Sequence, residues 1–225
     1  MIKYFLKSII PSEIRSSMRN GQKLVVYFWR RQRIRWPVAV GSQIKIIVGA
    51  AMTTQKGWIS TNEQWLDITN PEDWRNVFHG KALLTHVLAE HVFEHLTEAD
   101  MFLALRLINQ HMKIGGRIRI AVPDGYHPDP SYIRHVGIKG IGADAADHKQ
   151  LINCDTLVKA LEVSGFSSKL LEGYQLNGNL VLAPIDINSG IVVRSRGNQL
   201  SMAGRFGWKF PDANTSLIVD GIKRA

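Results

Sequence analysis

At 225 residues, 45% hydrophobic and 21% charged, the chain has the size and composition of one soluble domain with a substantial core. Its single cysteine, Cys154, excludes an intrachain disulfide framework and any multi-cysteine zinc site, and favours a reducing compartment. The net charge of +9 is concentrated in residues 1–40, where nine basic side chains stand against Glu13 alone, so the rest of the chain is nearly neutral.

This basic arm comes first in chain order. Leu24, Val25, Phe28 and Trp29 follow helical spacing beside arginines, which predicts an amphipathic segment suited to an anionic membrane surface or an acidic partner. The alternative is a helix packed on its own domain with solvated arginine tips. No apolar run reaches the roughly 20 residues of a bilayer span, and Lys7 interrupts the only signal-peptide-like start, so a cytoplasmic protein, with peripheral membrane contact at most, is expected. Pro37 and Gly41-Ser42 end the arm, giving a boundary between 1–40 and a domain at 41–225.

"QIKIIVGAA" (43–51) is a β-branched apolar run ending in small residues, the pattern of a buried strand feeding a tight turn, and "GWISTN" (57–62) fits a second strand. Asn70 and Pro71 open a helix. "ALLTHVLA" (82–89) is a third buried strand. Thr97 and Asp100 then form a capping box for a helix over 98–113, which Gly115-Gly116 is expected to terminate before the strand "RIRIAV" (117–122). A helix over 155–164 is followed by strand-like stretches at 168–174, 179–183, 190–195 and 215–221. Strands alternating with helices over 43–165 predict a mainly parallel sheet with helices on both faces and an antiparallel edge. In such sheets ligands sit beyond the carboxyl ends of the strands, here at 49–51, 62, 89–91 and 123–125.

His91, Glu94 and His95 spell H-x-x-E-H, a zinc-protease motif when it lies within a helix. Here it falls between a strand and a cap, where the i, i+4 geometry is not provided. A third ligand would have to come from a distant residue such as Glu162 or Glu172. The protease is therefore the most remote reading, no metal is expected, and His95 reads as a junction residue bonded to backbone.

Taken in order, "IKIIVGAA", "GWISTN", "LDI" (66–68), "LAEHVFEHLT" (88–97), "MKIGGRIRIAVPDGYHPDP" (112–130) and "ADHKQLI" (146–152) resemble class I S-adenosylmethionine-dependent methyltransferases. The resemblance is to a bacterial group of the type 11 kind, often found with surface-polysaccharide genes. It covers 44–165 and extends more loosely to "TSLIVDGIK" (215–223). It implies a Rossmann-like α/β fold in which a reversed last strand joins a parallel sheet, S-adenosyl-L-methionine as cofactor, and a small-molecule or glycan-precursor acceptor. Cofactor contacts would come from Gly49, Ala50 and Ala51 in the first turn, Asn62 at the ribose, Asp67 and Ile68 at the adenine, and Ala89, Glu90 and His91 at the methionine end. His91, Asp124, His127 and His148 are the candidates for removing the acceptor's proton.

Two positions depart from the family's pattern. Ala51 stands where a second glycine is usual, and Asn62 where an acid usually accepts both ribose hydroxyls. These departures keep open a methyltransferase-shaped protein that binds or scaffolds without catalysis. A nucleic-acid substrate is not expected, because 41–225 is nearly neutral and carries no aromatic-proline base clamp. Oligomeric state is not readable from the sequence.

Overall fold

The computed structural model describes residues 28–29, 31–195 and 216–225. Its seven-stranded sheet comprises β1 (Ile44–Val48), β2 (Ile59–Ser60), β3 (Leu84–Glu90), β4 (Met112–Pro123), β5 (Phe166–Tyr174), β6 (Leu180–Leu182) and β7 (Ser216–Lys223), in the spatial order β2-β1-β3-β4-β7-β5-β6. The first four strands are parallel. β7 runs antiparallel between β4 and β5, and β6 extends the far edge antiparallel to β5. This is the expected Rossmann-like α/β sheet with a reversed last strand.

Strand alternation sorts the side chains into two layers. Ile46 and Val48, Val87 and Ala89, Ile118 and Ile120, and Leu217 and Val219 face the main core. There they meet α1 (31–39), α2 (Pro71–Phe78), α3 (Glu98–His111) and α4 (Cys154–Val163). Ile47, Leu88, Ala121 and Ile218 face the other way, against Trp58, Val192, Ala183 and Ile185. Among the described residues this second layer is the irregular segment 183–195, where helices had been expected, with a single 3-10 turn at Ile187–Ser189.

A buried ion pair fastens that segment to the sheet. Arg119 and Asp220 are cross-strand neighbours, both fully buried, and Arg119 grips Asp220 through two hydrogen bonds of 2.8 and 2.9 Å. The remaining Arg119 nitrogen donates to the carbonyls of Asp186 and Gly190. Residues 190–195, expected as a strand, are therefore held as a covering loop by side chains of the sheet beneath. The backbone N–H groups of Val193 and Arg194 donate to the Glu90 carboxylate at 3.0 and 2.9 Å.

The helix starts follow their caps. Asn70 accepts from Glu72 N with Pro71 in the first turn, and Thr97 accepts from Asp100 N while its hydroxyl donates to the Asp100 carboxylate. Gly115-Gly116 does not end α3. The helix stops at His111, and the glycines lie in β4, in a bulge between the pairs Leu84–Met112 and His86–Arg117.

The second half of the basic arm joins the globular unit. Ile34 and Val38 on α1 are buried in the main core, and Lys81 donates to the carbonyl of Val38. Phe28, Trp29 and Trp36 are exposed, while Leu24 and Val25 lie outside the described residues. No helix among the described residues is long and apolar enough to cross a membrane.

Candidate cofactor cleft at the strand tips

The parallel register places Val48 beside Ala89, so the turns leaving β1 and β3 emerge side by side. Between them, bounded on the other side by the exit of β2, is a cleft of about 600 Å³. Its walls include Gly49, Ala51, Asn62, Asp67, Ile68 and His91.

Gly49 sets the floor. Its φ of +57° is open to glycine at no steric cost, and a Cβ there would lie 2.5 Å from Val92 Cγ2. Ala51 has φ +43° and His91 φ +54°, so two residues with side chains hold left-handed backbone on the rim. Such strain gathers where surrounding structure enforces it, commonly at ligand sites.

Asn62 is the most informative residue of the cleft. It is buried, and neither its carboxamide oxygen nor its nitrogen has a hydrogen-bond partner. Burying a polar amide without partners costs about 1–3 kcal/mol on protein scales, which a ligand offering both a donor and an acceptor would recover. Asp67 lies beyond it and spends Oδ1 on the backbone and hydroxyl of Thr69. Leu66 and Ile68 add apolar wall. The carboxylates of Glu63, Asp67, Asp100 and Asp147 face the cleft with Lys149 as their only formal cationic counterpart in the lining, a balance that favours a cationic ligand.

His91 is held on both sides. Its Nδ1 lies 2.8 Å from Oε1 of the buried Glu94, and its Nε2 lies 3.3 Å from the guanidinium of the solvent-facing Arg194. With Nδ1 donating to Glu94, Nε2 is the basic nitrogen, and movement of Arg194 would free it.

The other expected site residues lie elsewhere. Ala50 sits in the smaller core layer, its N–H donating to Thr61 O, and Ala89 is fully buried beneath the cleft. Glu90, half-buried, turns to the opposite side, where its carboxylate caps the 193–194 backbone. Asp124 is fully buried and accepts from the backbone of Tyr126 and Tyr174, bracing the end of β4 against β5. His127 packs against the rings of Tyr132 and Tyr174 and accepts from Asp129 N. His148 is outside the lining, although its neighbours Asp147 and Lys149 are in it.

The zinc-protease reading meets a direct obstacle. His91 directly follows β3 and His95 closes a 3-10 turn over Phe93–His95, so the two histidines do not share a helix face. Glu162 is engaged by Ser168 and Glu172 by Ser195, and neither approaches the motif. His95 packs edge-on against the ring of His148 and faces Asp147, rather than bonding to backbone through its side chain.

Sequence reasoning did not single out Glu63, Gln64, Val92, Leu96, Asp100, Asp147 or Lys149 as lining residues. Val92 could have been reached by following the β3 exit one residue beyond His91, whereas Leu96 lies past the intervening 3-10 turn. Asp147 and Lys149 are brought in by tertiary contact, since Lys149 N and Gln150 N donate to Glu94 O and Gln150 Nε2 to Leu96 O.

Among known proteins, no protein-family model and no curated sequence matches this chain. Solved structures with similar chain traces include a SAM-dependent methyltransferase from Archaeoglobus fulgidus, 17% identical, covering 89% of this chain and 94% of that one at a TM-score of 0.47. An S-adenosylmethionine-dependent methyltransferase from Mesorhizobium loti is 10% identical over 84% of this chain and 98% of its own, at 0.46. Another, from Thermotoga maritima, is 12% identical over 84% of this chain and 76% of its own, at 0.44. The fold assignment rests on strand order and direction.

Proposed function

We propose that the chain is a methyltransferase that binds S-adenosyl-L-methionine in the cleft between the β1, β2 and β3 exits and methylates a small molecule or glycan precursor. The observation that carries this reading is Asn62, a buried carboxamide with both polar atoms unpartnered, at the tip of the strand next to the glycine turn. A ribose diol supplies what it lacks, because one hydroxyl can donate to its oxygen and the other accept from its nitrogen. The residues present fit the cofactor. Gly49 allows close approach, Asn62 takes the ribose, Leu66 and Ile68 flank the adenine beside Asp67, and the acidic lining suits a sulfonium. The cofactor supplies an electrophilic methyl group.

This chain's own part would be positioning and proton removal. His91 stands at the cleft with Nδ1 fixed by Glu94, so Nε2 can accept the proton of an acceptor hydroxyl or amine as Arg194 moves aside. A second reading, a binding protein of the same shape without catalysis, is favoured by the methyl group of Ala51 on left-handed backbone and by the absence of an acid at Asn62.

Calorimetric titration of the full chain with S-adenosylmethionine and S-adenosylhomocysteine tests the proposal. Saturable binding of both is expected, weakened about 30-fold in Asn62→Ala by loss of two hydrogen bonds at roughly 1 kcal/mol each. No heat at millimolar ligand with folded protein overturns it. Binding without methyl transfer to any acceptor in a cell extract selects the second reading.

A further inference from the structure

The H-x-x-E-H string does not build a helical zinc motif, but the fold gives two of its members a different companion. Residues 147–150 dock on the 93–96 turn through the Glu94 and Leu96 carbonyls, bringing His148 to His95 at 4.8 Å between ring centroids. Glu94, His95 and His148 then offer ligand atoms that all lie within 4.8 Å of one another.

Glu94 is 1% exposed, and its Oε2 has no partner. An unpaired carboxylate oxygen at that depth is costly, and two imidazoles are the nearest candidates to answer it through a cation. The far sides of Glu94 and His148 are already engaged. Glu94 Oε1 meets His91 Nδ1 at 2.8 Å, and His148 Nδ1 donates to Val136 O at 2.7 Å, leaving Nε2 with its lone pair. His95 Nδ1 lies 3.1 Å from the Asp147 carboxylate, close enough to pair with it electrostatically though without a hydrogen bond. Outer partners that fix ring orientation and tautomer are the usual companions of metal-bound histidine and carboxylate.

We propose that Glu94, His95 and His148 form a binding site for one divalent transition-metal ion of the zinc type. Two imidazoles and one carboxylate are a donor set that such ions take, whereas magnesium and calcium prefer all-oxygen shells. Ligand atoms around zinc stand about 3.3 Å apart at bond lengths near 2.0–2.1 Å, so loading draws the three together by up to roughly 1.5 Å. The half-exposed His95 ring supplies most of that movement. Three protein ligands leave a coordination position open, and His95 lines the cleft. On the methyl-transfer reading, an ion there would hold an acceptor oxygen beside His91 and lower its pKa. Metal binding itself does not rest on that reading.

The test uses the full chain stripped with chelator and dialysed, with no methyl donor present. Titration with Zn²⁺ should reach one equivalent, and Co²⁺ should give visible absorption bands of a low-coordinate site. His148→Asn keeps a donor for Val136 O but removes the ligating nitrogen. It should weaken binding by more than about 100-fold, beyond what loss of an outer partner gives. Glu94→Gln should do the same, whereas His135→Asn should not. Circular dichroism and a melting curve in the absence of metal establish that each variant is folded. Wild type that binds less than a tenth of an equivalent at micromolar Zn²⁺, or stoichiometric binding unchanged in both ligand variants, overturns the site. Failure here with intact cofactor binding would leave the methyltransferase reading standing, and the converse also holds.

Discussion

Gly49→Ala puts the geometry of the cleft floor under direct test. At φ +57° an added Cβ costs about 1–2 kcal/mol from left-handed strain alone. The same Cβ would stand 2.5 Å from Val92 Cγ2, an overlap with a stiff β-branched side chain that adds about 1–3 kcal/mol of overpacking. The single variant should therefore lose about 2–5 kcal/mol in urea unfolding, read as a fall in midpoint at unchanged m-value. Truncating the neighbour separates the two contributions. In Gly49→Ala/Val92→Ala the overlap disappears and the dihedral strain stays, so a double-mutant cycle should return a favourable coupling of about 1–3 kcal/mol. A Gly49→Ala variant within about 0.5 kcal/mol of wild type, or a cycle with no coupling, would refute the placement of Val92 against the β1 turn.

Ala51→Gly acts in the opposite direction. Relief at φ +43° should exceed the entropic penalty of glycine and raise stability by up to about 1 kcal/mol, measured in the same unfolding assay, with tighter cofactor binding by calorimetry. Asp220→Asn leaves Arg119 charged and without its ion pair in a fully buried position, and should cost about 3–5 kcal/mol in urea unfolding, loosening 186–190 as seen by faster amide exchange there. His111 stacks on Trp74 and meets Phe78 at a tilt, and burial holds its pKa below the ordinary histidine value; burial, with Lys45 and Arg117 nearby, does the same for His86. The unfolded chain therefore binds more protons than the folded one as pH falls below about 6.5, so stability is lost through that range towards the depressed folded pKa values. Melting temperatures from pH 8 to 5 should show the decline, and His111→Phe should flatten it.

Local signals were the legible ones. The apolar run at 44–48, the Asn70-Pro71 start and the Thr97 cap each need only near neighbours, and each forms where its residues dictate. Gly115-Gly116 misled because a glycine pair after an amphipathic stretch reads the same whether it ends a helix or makes a bulge, and only pairing with β3 decides between them. Residues 190–195 carry strand-like composition, yet Arg119 and Glu90 claim their backbone groups from the sheet below. Of the cleft, the turn glycine, Asn62, Asp67 and His91 were readable because strand tips converge in this fold. The orientation of Glu90 was not, since a single residue at a strand end can turn to either face. The meeting of His148 with Glu94 and His95 depends on loop docking across more than fifty residues, which no periodicity records.

Methyl transfer on the proposed reading requires that the cleft at Gly49, Asn62 and His91 receive the adenosyl group. A crystal structure of the full chain grown with S-adenosylhomocysteine tests it most directly. Density for the ligand is expected in that cleft, with the ribose hydroxyls within hydrogen-bonding distance of both polar atoms of Asn62 and the sulfur end towards His91. Ligand bound elsewhere, or an Asn62 carboxamide satisfied by protein while the cleft stays closed to the nucleoside, would contradict it.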